Sequence, residues 1–348
     1  MEIASIFKSG RVMREVLIIS EQKDYKFPLA EANRKQIFEE AKLEGLECEI
    51  LIITKKGGPD FVVEGIKISF VERIGLIKKI LYLRSFNRIR YIGNIGISSV
   101  LVGFFTAFKE NSMNITDGGI FSTVRRVKLL RLLAKITPFL YREFNIYTQH
   151  QLKILLEVSS KFKNKVSVTM PILDRKVYFQ NTSKDKPPTI LYMSHISEFK
   201  GFDTVLFIYE NLKKELPNLK LIVANNGVMS DKTLLEKLYS YKTQYKDDII
   251  LKNKVNPYKE LSQCSLYIYV FKKENGTFAF PLSLYESLLC GTPFLGPKIE
   301  GVGEFFDDFF LENPDNKKLC ALKAAKLINC SDEIRALIAN NLLKIQKQ

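Results

Sequence analysis

The stretch TILYMSHISEFKGFDTVLFIYENLKKELPNLKLIVANNG, residues 189–227, decides the fold. TILYMS is an apolar run of strand length. Residues 201–216 carry the apolar periodicity of a helix, and Pro217 stops it. LKLIVA is again short and near-continuously apolar, and NNG reads as a turn. Strands buried on both faces have this composition, and a helix joining two of them makes a parallel sheet.

The same alternation runs outward in both directions. Downstream come a helix at 231–245, the strand DIILK (248–252), a short helix PYKELSQC (257–264) and the strand SLYIYV (265–270). Pro281 opens a further helix, Gly291 ends it, and residues 292–295 read as a buried strand. A last helix, about 332–347, has no strand after it. Upstream, EVLIIS (15–20) and CEILIIT (48–54) flank the helical text EANRKQIFEEAKLEGLE (31–47). The middle is less regular, with strands expected at 88–92 and 113–116 and helices at 97–107 and 121–135. A strand at 164–174 closes the first half. NTSKDKPPT (181–189), polar with two prolines, is the linker. The expectation is two successive α/β halves.

Bulk composition agrees. A chain of 348 residues, 46% hydrophobic and 26% charged, exceeds one ordinary core. The formal net charge of +15 points to a phosphate-rich partner without choosing among nucleotide, anionic lipid and nucleic acid. Five cysteines, Cys48, Cys264, Cys290, Cys320 and Cys330, show no metal-ligand spacing and fit reduced thiols in the cytoplasm. Two histidines, His150 and His195, exclude a histidine-rich metal site. The N-terminus lacks the pattern of a signal peptide. Residues 91–108 are barely long enough to span a bilayer and are broken by glycines; buried strand, loop and helix is the main reading, and a true span the minor one.

Ligands of open parallel sheets sit at the carboxyl ends of the strands. Three loops of the second half meet that rule. In SHISEFKG (194–201), Lys200 stands at a helix entry, where an ammonium and backbone N–H groups suit a diphosphate, and His195 could donate to the same phosphate; a solvated surface lysine and a surface or structural histidine are the plainer readings of the residues alone. In ANNG (224–227), Gly227 permits close approach of a ligand, or serves a plain turn. In FKKENGTFAFP (271–281), exposed N–H groups from Phe278, Ala279 and Phe280 to Leu282 could cradle phosphate or sugar oxygens, or belong to an ordinary loop. Glu286 lies about two turns into the following apolar helix. Its carboxylate needs solvent or a partner, such as two ribose hydroxyls; the pattern leaves both open.

Taken in order, LYMSHISEFKGFDT, PNLKLIVANNG, ILKNKVNPYKELSQCSLYIYV and SLYESLLCGTPFLGPKIEGVGEFF resemble the nucleotide-sugar domain of GT-B glycosyltransferases, specifically the retaining family glycosyl transferases group 1 (family 4). The likeness covers about 189–313, and each piece is weak alone. It implies two Rossmann-like domains facing a cleft: an acceptor-side domain at 1–182, a nucleotide-sugar domain at 183–330, and a C-terminal helix, 331–348, packing back on the first domain. It implies transfer of a sugar from a nucleotide-diphosphate donor to a glycan or lipid-linked acceptor, with retention and without metal or cofactor. Lys200 then neutralises the donor diphosphate, and Glu286 matches the second glutamate of the E-x7-E motif, which holds the ribose. Ser194 and Gly227 fall in donor-side loops. The first motif glutamate falls on Phe278, the lysine's arginine partner on His195, and the loop glycine on Ser194. Asp117 of TDGG stands near the place of the family's first-domain histidine. A GT-B-like protein that binds nucleotide or glycan without turnover, or as a partner subunit, is the alternative.

Two stretches concentrate the basic excess. Residues 74–90 carry Lys78, Lys79, Arg84, Arg88 and Arg90, and residues 122–142 carry Arg125, Arg126, Lys128, Arg131 and Lys135. Read as basic amphipathic helices, they make an anionic membrane surface a candidate partner and peripheral attachment to the inner face of the membrane a candidate location; an ordinary helix with its basic face in water is the plainer reading of each alone. No nucleic-acid-binding motif is present, so nucleic acid is not expected.

Overall fold

The computed structural model describes residues 14–20, 47–54, 60–63, 66–72, 75, 80–83, 85–115, 119–169, 188–225, 231–253, 255–272, 281–299, 301–329 and 331–346. The chain divides into two compact units, Met1–Leu173 and Asp174–Gln348.

In the first unit the strands are β1 (Arg14–Ser20), β2 (Glu47–Thr54), β3 (Phe61–Val63), β4 (Ile66–Glu72), β5 (Arg88–Ile92), β6 (Glu110–Asn114), β7 (Glu143–Ile146) and β8 (Val166–Val168). They form one sheet in the order β3-β4-β2-β1-β5-β6-β7-β8. Only the β3–β4 pair is antiparallel. Alternate residues feed opposite faces: Val16, Ile18, Leu51 and Ile53 join one apolar cluster, Leu17, Ile50 and Ile52 another. The sheet is covered on both sides, which explains its unbroken apolar strands.

Among the described residues, the helices of this unit are α1 (Ile80–Leu83), α2 (Ile97–Thr106), α3 (Gly119–Arg126), α4 (Lys128–Leu140) and α5 (Gln149–Val158). Residues 91–108 are the end of β5, a loop and α2. Among the described residues no helix is long and apolar enough to cross a membrane. The helix expected at 121–135 is two helices broken at Val127, whose backbone is extended. Arg88 and Arg90 belong to strand β5, not to a basic helix, and both lie by the buried Glu15, Arg90 at 3.2 Å. The helix expected at 31–47 and the stretch at 170–187 lie outside the described residues, apart from Glu47, which begins β2.

The second unit holds β9 (Thr189–Met193), α6 (Phe202–Glu215), β10 (Lys220–Ala224), α7 (Lys232–Tyr245), β11 (Ile249–Lys252), α8 (Pro257–Gln263), β12 (Leu266–Ile268), α9 (Leu282–Leu289), β13 (Phe294–Pro297), β14 (Leu311–Glu312), α10 (Lys317–Ile328) and α11 (Asp332–Gln346). Its sheet is parallel throughout, in the order β11-β10-β9-β12-β13-β14. The first strand of the unit sits centrally, and the order reverses between β9 and β12. α11 packs on α9. Its buried Asn341 accepts from the Asp307 N–H at 3.0 Å and donates to the Phe305 carbonyl at 2.7 Å.

α2 and α4 meet at a glycine. A Cβ on Gly103 would lie 2.6 Å from the Tyr141 ring and 2.9 Å from Leu140 Cβ. Gly103→Ala is expected to destabilise the protein by about 1–2 kcal/mol, because overpacking outweighs the gain in helix propensity. Urea unfolding measures the difference.

Candidate donor-nucleotide site

The second unit's site is built at the point where strand order reverses, since diverging connections there leave a crevice at the carboxyl ends. Two segments border it: residues 194–201 after β9 and residues 269–272 after β12. They are fastened to each other at several points. The Lys272 N–H donates to the Phe199 carbonyl at 3.0 Å. Gly201, at φ +68°, caps α6 in the left-handed region, and a Cβ there would fall 2.0 Å from the Val270 carbonyl oxygen. Glycine is therefore required twice, by dihedral and by space.

Lys200 precedes that glycine and is 8% exposed. Its Nζ donates to the Tyr269 hydroxyl at 3.3 Å. It also stands 5.2 Å from the Phe199 ring centre, 5.6 Å from Tyr269 and 5.9 Å from Phe271. Aromatic faces stabilise a desolvated cation and hold it in place. Burial pushes the Tyr269 phenol up, so it stays a neutral acceptor.

Glu286 lies on α9, a helix buried nearly all round, and is 5% exposed. The choice left open between solvent and a partner is thus settled against solvent. Burial raises the pKa of Tyr267, and the neighbouring Tyr269 and then the Glu286 carboxylate add to it. Tyr267 stacks on Tyr269, with ring centres 6.2 Å apart and planes at 6°. The Tyr267 hydroxyl and Ser283 of α9 are hydrogen-bonded at 3.1 Å, so the two rings join α9 to the ammonium at the entry to α6. Leu282 is buried at the first position of α9, where Pro281 offers no side-chain cap to the N–H groups of the first turn.

Ser194 and His195 lie in the same loop. The Tyr192 hydroxyl donates to the His195 carbonyl at 2.6 Å, and the Ser194 side chain hydrogen-bonds the same phenol. The loop's path is thus fixed from below by a buried tyrosine of β9. Asp117, Gly227, Phe278, Ala279 and Phe280 lie outside the described residues. Among the described residues, no three His, Cys, Asp or Glu side chains cluster as a metal site.

The residues that the sequence reading missed are Tyr269, Phe271 and Lys272. The signal was present in SLYIYVFKK: Tyr267, Tyr269 and Phe271 alternate, which puts three rings on one face of an extended segment. Lys272 Nζ lies 2.8 Å from Asp203 and 3.8 Å from Glu198, and Lys317 of α10 also reaches Asp203 at 2.8 Å. Thr204 donates to the Pro314 carbonyl at 3.0 Å beside them. The entry to α6 is therefore clamped to both the β12 loop and α10.

Residues 174–343 match the family described as Glycosyl transferases group 1. The chain is similar over nearly its whole length to solved structures. HepE from Anabaena, in complex with UDP and glucose, matches with TM-score 0.69 and 12% identity, over 95% of this chain and 97% of that one. Sucrose-phosphate synthase from Thermosynechococcus elongatus matches with TM-score 0.70 and 12% identity, over 96% and 94%. The trehalose-6-phosphate structure from E. coli, bound with UDP-2-fluoro glucose, matches with TM-score 0.67 and 11% identity, over 95% and 95%. No curated protein matches the sequence. The fold is GT-B. The match to glycosyl transferases group 1 falls on the second unit.

Two outcomes follow from the clamp. Gly201→Ala is expected to cost at least about 2 kcal/mol in a thermal or urea melt, through left-handed strain and the clash with Val270. Burial alone would raise the Asp203 pKa, but Lys272 and Lys317 hold the carboxyl below its ordinary value. Its stabilisation is present above the ordinary carboxylate pKa and is lost as pH falls through the lower folded value. Urea midpoints measured from neutral to acid pH should therefore fall more steeply in the wild type than in Asp203→Asn.

Proposed function

We propose that the protein transfers a sugar from a nucleotide-diphosphate donor to a glycan or lipid-linked acceptor, with retention of configuration. The observation that carries this reading is the held position of Lys200. A buried ammonium, kept in place by three aromatic rings at the switch point of a parallel sheet, is built to meet a diphosphate. Glu286, buried on the next helix of the same site, supplies the acceptor for ribose hydroxyls. The N–H groups at the start of α9 add positive potential. As the sugar leaves, charge develops on the nucleotide diphosphate, and Lys200, His195 and these N–H groups stabilise it without a metal ion. UDP is the first nucleotide to test, because HepE was solved with UDP and UDP-glucose.

Phe278 favours a second reading. It stands eight residues before Glu286, where the resemblance places a glutamate that contacts the transferred sugar. Phenylalanine accepts no hydrogen bond, which fits a protein that holds the nucleotide without transferring the sugar.

Incubation with a panel of nucleotide sugars separates the two. An enzyme gives hydrolysis or transfer that persists in EDTA, with the anomeric configuration of the first-formed product matching the donor. Glu286→Ala should raise KM about ten- to a hundredfold, the loss of one or two charge-assisted hydrogen bonds. Thermal stabilisation by nucleotides without any turnover supports the second reading. Neither stabilisation nor turnover overturns both.

A further inference from the structure

We propose that the outer face of α2 and α4 in the first unit is a docking surface for an anionic lipid bilayer. This inference does not depend on sugar transfer. It begins with apolar side chains left in water. On α4, Leu129, Leu132, Ile136 and Phe139 are between 38 and 68% exposed. Their spacing of three, four and three residues aligns them in one stripe. On α2 and just past its end, Ile97, Phe104 and Phe108 are between 52 and 65% exposed. The two helices touch where Gly103 meets Leu140 and Tyr141. Phe104 and Phe139 are the chain neighbours of that contact, so both exposed rows lie on helices packed against each other.

These residues are not the core face of α4. That face is formed by Ala134, Thr137 and Pro138, with Leu130, Leu133 and Leu140 partly buried against the sheet's cluster. α4 is therefore apolar on the side it buries and on part of the side it shows. Contiguous exposed apolar surface of this kind marks an interaction site.

Charge selects the partner. Lys128, Arg131 and Lys135, all exposed, run beside the apolar stripe at their own spacing of three and four. Arg125 and Arg126 extend the basic character to the end of α3. Neither 97–108 nor 119–140 contains an aspartate or glutamate. Glu157 of the neighbouring α5 offsets one of the five cations, by an ion pair with Arg125 at 2.6 Å. Lysines and arginines flanking a row of Leu, Ile and Phe fit an interface in which the apolar side chains enter acyl chains and the cations reach anionic headgroups.

Sedimentation of the full chain with vesicles tests the proposal. The probes are phosphatidylcholine vesicles with and without phosphatidylglycerol, at low and high salt. The wild type is expected to pellet with the anionic vesicles at low salt and to partition at least about tenfold less to neutral ones. The double variant Leu132→Ser, Phe139→Ser and the double variant Lys128→Gln, Arg131→Gln should each lower binding to anionic vesicles at least about tenfold. Circular dichroism melts check that both stay folded, as substitutions at exposed positions should. Should the serine variant unfold, the glutamine variant and the salt dependence decide the matter. Wild-type protein that stays in the supernatant overturns the proposal. So does a serine variant that binds as well as the wild type. A concentration-dependent dimer that the serine variant disperses, without vesicle binding, would assign the patch to a second copy of the chain instead.

Discussion

The carbonyl of Val270 leaves no room for a side chain at position 201. Much of the geometry of the candidate site depends on that close approach. It forces the left-handed turn at Gly201, and the turn starts α6 in the direction that returns it over the sheet. It also brings Phe199 within hydrogen-bonding distance of the Lys272 N–H. With the two loops pressed together, Lys200 has one place to go, over the rings of Tyr269 and Phe271. A lysine on a free loop would sample many rotamers and lose that entropy on binding. Here the ordering accompanies folding, so under the proposed function a diphosphate would meet a cation already in position.

Ion pairs reinforce the same contact from outside. Asp203 is shared by Lys272 and Lys317, so one carboxylate ties the first turn of α6 to the β12 loop and to the start of α10. The partly buried position makes these pairs worth more than pairs on an open surface. Glu286, in the proposed reading the ribose acceptor, comes to the site from another direction. Its helix follows β12 in the chain, so the strand that carries Tyr267 toward the crevice also determines where the carboxylate returns.

The second unit was largely legible in its sequence. Short strands such as LKLIVA and DIILK are separated by helices with clear stops, and Pro217 and Gly291 act where expected. β14 and α10 were not read: a two-residue strand carries no periodicity, and α10 shows Leu319 and Leu322 to solvent, which blurs its apolar stripe. The first unit was harder. Val127 interrupts what looks like one continuous basic helix, and Arg90 reads as a surface charge until Glu15, far away in sequence, is found beside it. At the site, Lys200 and Glu286 were picked out by the order of motifs rather than by residue type alone, whereas the aromatic setting of Lys200 depends on two loops meeting. Pairings of that kind are tertiary and leave only an indirect trace in sequence, here the alternation of Tyr267, Tyr269 and Phe271.

The contact between Lys200 and a diphosphate is the point on which the functional reading turns. Calorimetric titration of UDP and of uridine, into the wild type and into Lys200→Met, examines it directly. UDP should bind the wild type about ten- to a hundredfold more tightly than uridine, and the variant should lose most of that preference while keeping its affinity for uridine. Equal affinity of the wild type for UDP and uridine, or a preference for UDP that survives in Lys200→Met, would contradict it.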